Sequence, residues 1–245
     1  MATALEIAID TALSIGTSPP ASLVSGDIKG RRMAVHMNRG GQALLSKRGA
    51  FGEGWPHTNK RYQFTTEDGV AFYALPDDFT SVIEETIWDV TDGWAGRGPL
   101  TPAEDQLLRY YRSAVTGAIG PLYRQREEGG TTGLEIHPTP SSERIISLEY
   151  ISQHWLRETA NRAPTKARIT LDTDVPIFKE HIVSLDLAWR YKKQLGQAFD
   201  IELAEFELER DRTFAQSLPI RDIRFNYSDI EDPQLNFASN PIVID

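Results

Sequence analysis

The side chains able to do chemistry are few, and they are dispersed. The five histidines, His36, His57, His137, His154 and His181, never approach the short spacing from which a metal site usually draws its ligands. Each reads as a surface or hydrogen-bonded structural histidine. Asp172-Thr173-Asp174 looks like the start of a calcium loop, but the further Asp/Asn, the Gly and the closing Glu are missing. Asp174 reads instead as a helix-start cap ahead of Pro176. Glu84-Glu85 and Glu127-Glu128 are carboxylate neighbours, and neighbours on a strand point to opposite faces, which spoils joint acid–base work. Neither phosphate-binding glycine pattern is present, nor HExxH, nor a GxSxG elbow. Asn226-Tyr227-Ser228 fits the glycosylation acceptor pattern by chance, since no secretory leader is read. The expectation is no enzyme, no cofactor and no metal.

Composition narrows the class further. There is no cysteine, which excludes disulfides, thiolate metal sites, iron–sulfur clusters and a cysteine nucleophile. Of 245 residues, 40% are apolar and 25% charged, so the chain has the makings of a folded core and room for one large domain or two small ones. With 26 Lys+Arg against 35 Asp+Glu, the net charge is −9. A protein that grips nucleic acid by its phosphates carries a basic face. Here Arg31-Arg32, Lys60-Arg61 and Lys192-Lys193 read as isolated pairs. The first residues, Met1 to Glu6, lack the basic region of a signal peptide, and no stretch nears the roughly 18 apolar residues of a membrane helix. A cytosolic chain without membrane partners is expected.

Helices come next. Thr3-Ala4-Leu5-Glu6 is a capping box, followed at helical spacing by Ala8, Ile9, Ala12 and Ile15 and ended by Gly16. A second helix is expected from about Ser25 to Ser46, although Gly30, Gly40 and Gly41 each cost it about 1 kcal/mol relative to alanine. A frayed or broken helix is the first reading of those glycines, and close backbone approach to a neighbour the second. Thr101-Pro102-Ala103-Glu104 is a further capping box with Pro at the first helical position, and Leu107, Leu108, Tyr111, Ala114 and Val115 follow on one face. Pro176 is expected to open a long helix to about Leu195, and a strongly acidic helix to run from about Ala198 to Phe214. The acidic residues beyond its first turn read as a solvated face.

Between the helices the period changes to two. Tyr62 and Phe64, a turn at Glu67-Asp68-Gly69, then Val70, Phe72 and Ala74 predict a β-hairpin. Val82 to Val90 predicts a strand, as do Leu122 to Arg126, the segment at Leu134 and Ile136, a run from Ile146 to Trp155, and Ala167 to Leu171. Trp55 and Trp94 stand in loops, where tryptophan serves as an interface anchor or as a lid over a core. From Ser217 to Asp245 the helical pattern ends, yet the segment is too apolar for a simple disordered tail. It reads as an arm that docks on another subunit or protein, by strand addition, rather than back on its own domain. Its candidate contacts are Ile220, Ile223, Phe225, Tyr227, Leu235, Phe237, Ile242, Val243 and Ile244.

The order of several segments matches a known pattern. These are Ala12-Leu13-Ser14-Ile15-Gly16 with Pro19-Pro20 and Ser22-Leu23, Tyr73-Ala74-Leu75-Pro76-Asp77-Asp78-Phe79, and Tyr150-Ile151-Ser152-Gln153-His154-Trp155. Asp172-Thr173-Asp174, Leu187-Ala188-Trp189-Arg190-Tyr191-Lys192, the Gly196 break and Glu205-Phe206-Glu207 follow. In this order the chain resembles head-to-tail adaptor proteins of tailed bacteriophages, of the tail tubular protein A type. The glycine-broken second helix and the segment beyond Ser217 depart from that pattern. The resemblance implies an α+β chain, mainly an antiparallel helical bundle with inserted β-hairpins, to which the reading of the last residues themselves adds an extended C-terminal arm. Residues 1–48, 101–118 and 174–216 would form the bundle, 49–100 and 119–173 the β region, and 217–245 the arm. It implies a virion protein, assembled in the host cytoplasm, forming a homo-oligomeric ring of twelve copies. The partners would be the portal protein above and a tail or nozzle protein below. DNA would pass through the channel without specific binding, which an acidic, mildly repulsive wall would favour. A stopper, a tail terminator or a nozzle component shares these features. A ligand-binding protein or enzyme would instead need a deep pocket of convergent polar groups.

Overall fold

The computed structural model describes residues 1–49, 52–110, 121–159 and 162–218. Helices α1 (Ala4–Ser14) and α2 (Ile28–Leu45) are followed by strands β1 (Asn59–Thr65), β2 (Phe72–Ala74), β3 (Phe79–Val82), β4 (Trp88–Asp89) and β5 (Trp94–Ala95). Then come helix α3 (Pro102–Tyr110) and strands β6 (Leu122–Glu128), β7 (Thr131–His137), β8 (Ile145–Ser152), β9 (Leu156–Arg157) and β10 (Val175–Pro176). Helices α4 (Glu180–Gln194) and α5 (Asp200–Ser217) close the described chain. The protein is α+β, but helix does not dominate as expected. The chain divides into a helical unit, Met1–Asn59 with the segment from Ser152 to the end of α5, and a β unit, Lys60–Ile151. The division shifts the expected boundaries. Helix α3 belongs with the strands, and the segments 49–59 and 152–173 belong with the helices.

In the helical unit, α1, α2 and α5 each pack on α4. Thr3 caps α1 as its spacing dictates: its hydroxyl accepts from the Glu6 N–H at 3.2 Å, and the Glu6 carboxylate accepts from the Thr3 N–H at 2.7 Å. Two further N–H groups of the first turn, which no helix can satisfy internally, donate to carbonyls of the Asp172-Thr173-Asp174 segment. Ala4 reaches Asp174 at 2.7 Å and Leu5 reaches Asp172 at 3.3 Å. The Asp172 side chain accepts from the Leu23 N–H at 2.7 Å. Asp174, fully buried, accepts from the Thr170 and Leu171 N–H groups at 2.8 and 2.9 Å and pairs with Lys166 at 2.9 Å. Burial alone would raise its pKa, but Lys166 and the two N–H donors outweigh it and hold the carboxyl below its usual range. Asp174 is therefore neither a calcium ligand nor the cap of α4. The segment is a staple that ties the start of α1 and the loop before α2 to the chain ahead of β10.

Helix α2 is intact through its glycines, so the frayed reading is corrected in favour of close approach. A Cβ at Gly30 would sit 2.8 Å from the Ser22 carbonyl carbon, and one at Gly40 2.9 Å from Asp186 Cγ. At Gly41 it would lie 2.5 and 2.7 Å from two indole carbons of Trp155. Asp186, buried against Gly40, accepts from Arg190 Nε at 2.8 Å and from the Trp189 indole N–H at 3.1 Å. Burial pushes its carboxyl above the usual range despite Arg190. The core around these contacts holds Ile7, Met33, Met37, Trp155, Ile182, Leu187 and Phe206. Helix α4 starts at Glu180, not at Pro176, because Val175 and Pro176 pair with Arg157 and Leu156. Ala167 to Leu171 is not a strand: the Ala167 carbonyl accepts the Trp155 indole N–H at 2.7 Å, and the segment turns into the Asp174 staple.

In the β unit, β8 lies between β1 and β4, with β5 beyond β4 and β3 also paired to β8. A second sheet runs β2-β7-β6. The expected hairpin of β1 and β2 does not form, since the two strands join different sheets. The expected strand from Val82 to Val90 is broken after Val82, where Glu85 takes a positive φ of 61°. β8 ends at Ser152, short of Trp155. The β6–β7 hairpin closes through Gly129 and Gly130, both at positive φ, with Arg124 opposite Glu135. Leu75, Ile87, Leu134, Ile136, Ile146, Leu148 and Tyr150 fill this core. Tyr123 lies within it, and burial, with Glu84 adding, raises its hydroxyl to about 12.

Candidate interaction surfaces

Three places in the described residues gather polar or exposed apolar side chains. In the first, the Thr101–Glu104 capping box forms as expected, with donor–acceptor distances of 2.8 and 3.3 Å. It sets Asp105 in the first turn of α3, fully buried. Strand alternation turns Arg124 and Arg126 of β6 to one face of the sheet, and Glu135 and His137 of β7 to the same face. Asp105 pairs with Arg124 at 2.5 Å and lies 3.1 Å from His137 Nε2; Glu135 pairs with Arg126 at 3.0 Å and lies 3.8 Å from the same nitrogen. One oxygen from each carboxylate and a nitrogen of His137 lie within 4.8 Å of one another. Two oxygens and an imidazole are a chemically reasonable donor set for a divalent cation. Arg124 and Arg126, however, already hold and neutralise the two carboxylates, so the arrangement works as an ion network that locks α3 onto the sheet. Sequence reading missed it because its members lie up to 32 positions apart. The available signal was the spacing by two of Arg124/Arg126 and of Glu135/His137.

The second place is a groove of about 270 Å³ in the β unit, bordered by Trp94, Pro138, Pro140 and Ile146. Arg144 crosses its floor to Asp89 at 3.1 Å and Asp92 at 2.7 Å. Trp94 is half-buried at this rim. Trp55, its expected counterpart, is a core residue, the lid of the two readings. Its indole N–H donates to the Leu44 carbonyl at 2.8 Å, and its ring meets Phe178 and Phe214 edge-on.

The third place is a pair of helix faces in the helical unit. The outer face of α2 presents Ile28, 67% exposed, and Val35, 48% exposed, among Arg31, Arg32 and Arg39. Together with Gln194 these line a shallow trough of about 500 Å³, and Arg168 stands beside its continuation. Among the described residues, no carboxylate is within ion-pair distance of these four arginines. The outer face of α5 presents Ile201, 79% exposed, and Leu208, 72% exposed, among Glu205 and Glu207, which likewise lack an ion-pair partner there. The arginine face was not legible as a patch while Arg31-Arg32 stood as an isolated pair. The helical spacing of 28, 31/32, 35 and 39 was the signal.

None of these places presents a nucleophile beside a base or an open site for a reacting group. The match that decides what the chain is comes from the whole sequence: the model of the SU10 adaptor protein family fits residues 3–229. The chain belongs to the SU10 adaptor protein family. The adaptor is thus a bacteriophage structural protein and a virion component, and the family is structural rather than enzymatic. The match spans both units of the adaptor and all three of the places above. No curated protein matches it. Among the described residues of the adaptor, no helix is long and apolar enough to cross a membrane. The arm residues Ile220, Ile223, Phe225, Tyr227, Leu235, Phe237, Ile242, Val243 and Ile244 lie outside the described residues, as does the continuation of α3 through Tyr111, Ala114 and Val115. The family match covers the first four of the arm positions and ends before Leu235.

Proposed function

We propose that this adaptor forms a ring, of twelve copies, beneath the portal at the head-to-tail junction, in the manner of tail tubular protein A. The ring extends the DNA channel and gives the tail or nozzle its attachment site, and the arm from 219 onward docks on the portal. The match to an adaptor family across both units carries this reading. The chemistry agrees with it. A chain of net charge −9 does not hold passing phosphates, and a chain without cysteine assembles in the reducing host cytoplasm without redox traps. The work is mechanical and adhesive: the buried ion networks and the Asp174 staple serve rigidity rather than turnover.

Electron microscopy of the purified chain mixed with its portal protein tests the reading. The expected image is a ring seated directly on the tail-facing end of the portal. A protein that leaves the portal bare and joins only a later neck or tail component is a stopper, terminator or nozzle part, and the reading fails.

A further inference from the structure

Two helix faces of the helical unit that are exposed among the described residues are complementary, and we propose that they meet: the α2 face of one copy packs on the α5 face of the next. The inference rests on the ring proposed above and names the contact that closes it.

The faces match in length, spacing and charge. Ile28 to Gln42 and Ile201 to Ala215 each span fourteen steps of helix, about 21 Å at 1.5 Å per residue. On each, two exposed aliphatic residues stand seven positions apart, Ile28 with Val35 and Ile201 with Leu208. Seven residues are two turns, so both pairs lie in a line along the helix, the seam by which helices pack side by side. Between the members of the first pair stand Arg31 and Arg32, and between those of the second stands Glu205. Helix α2 carries Lys29, Arg31, Arg32 and Arg39 and no carboxylate at all. Helix α5 carries six carboxylates against Arg210 and Arg212.

Charge also decides which copies meet. Pairing α2 with α2 would set arginine on arginine, and α5 with α5 glutamate on glutamate; both are repulsive. Only α2 on α5 removes the four aliphatic side chains from water while giving the arginines and glutamates opposite charges. Such a contact is heterologous: a joined pair leaves the α5 face of one copy and the α2 face of the other free, so copies keep adding, and where the rotation between copies closes, as the ring proposed above requires, the series ends as a ring rather than a filament. A phosphate-binding role for the arginines would leave Ile28 and Val35 without use. The solvated-face reading of α5 is replaced, and its glutamates face a neighbour rather than the channel.

The absence of native cysteine makes the test clean. The full chain carrying Val35→Cys and Leu208→Cys, bound to its portal, is treated with a short bismaleimide and run on a denaturing gel. The expected product is a ladder at multiples of the chain mass, with no ladder from either single-cysteine variant. Arg31→Glu, Arg32→Glu and Arg39→Glu together should abolish the ladder and the self-association measured by sedimentation. Adding Glu205→Arg and Glu207→Arg to the same chain should restore both. All of these positions are exposed, and circular dichroism verifies each fold. Dimers from Val35→Cys alone, a cross-link to the portal in place of a copy, or unchanged assembly of the triple variant overturns the proposal. A ring at the portal without the ladder overturns this contact and leaves the adaptor reading standing. A ladder from the free chain with no ring at the portal does the reverse.

Discussion

Replacing Gly41 by alanine separates intrinsic helix propensity from the packing that this helix serves. On an isolated helix the change is favourable by about 1 kcal/mol. Here the added carbon would lie 2.5 Å from Cδ2 and 2.7 Å from Cζ2 of Trp155, closer than real Cβ contacts come. The indole has little freedom to give way. It is fully buried, its N–H donates to the Ala167 carbonyl at 2.7 Å, and its ring stacks on Phe178. Forcing a methyl into a packed core costs about 1–3 kcal/mol. If the indole tips, the lost hydrogen bond adds roughly another 1–3 kcal/mol for the unsatisfied partner. After the propensity gain, a net loss of about 2 kcal/mol remains, which lowers Tm by about 4–8 °C in a chain of this size. Thermal and urea unfolding, followed by far-ultraviolet circular dichroism and tryptophan fluorescence, measure it. A rise in Tm, the outcome propensity alone dictates, would refute the packing account of α2.

Further changes probe other parts of the molecule. Asp105→Ala leaves Arg124 without its buried carboxylate; breaking such a pair costs about 3 kcal/mol, the low end of the range because Arg124 keeps some water contact. Loss of the β unit's unfolding transition at a lower urea concentration, with the helical unit's unchanged, is the expected readout. Asp174, held below its usual 3.8, favours the folded state at pH values above 3.8, and that contribution disappears as pH falls through its folded pKa. Asp174→Asn should therefore be clearly less stable than wild type at pH 7, with the gap narrowing by pH 3 in urea titrations; a gap that widens in acid would reverse the assignment. Removing the chain after Leu218, which packs on the helical core, should leave a folded subunit that no longer pulls down with its portal. Phe225→Ala or Phe237→Ala should weaken that binding more than Asp229→Ala, since aromatic anchors outweigh rim charges.

The helices were legible where their own residues cap them. The boxes Thr3–Glu6 and Thr101–Glu104 are local, each within one turn, and both form as their spacing dictates. Where a boundary depends on a distant partner, the sequence misled. Pro176 has the fixed φ of a first helical residue, but Leu156 claims it for a strand pair, and the helix waits until Glu180. The hairpin at Glu67-Asp68-Gly69 had the right turn and alternation, yet β7 takes β2 into another sheet. A two-residue period fixes which side chains share a face but not which strand lies alongside. The Asp105 network has the same cause: its charges are ordinary until the sheet register brings them together.

Surfaces are harder to read than cores because a solvated face and an interface face use the same residue types. A helix bearing Glu205, Glu207 and Asp211 is soluble by itself, and so is one bearing Arg31, Arg32 and Arg39. What distinguishes them from plain solvent faces is the aliphatic pair set into each, Ile28 with Val35 and Ile201 with Leu208, exposed at the same seven-residue interval. Scattered exposed aliphatics are common on any protein. Two matched pairs, each framed by charges of the sign the other lacks, have a use when they meet, and among the described residues of one subunit both stay exposed. The charge balance of −9 hides this, because it averages a basic helix face with an acidic one. Adhesion between copies depends on the difference between the two faces, which the net charge does not report.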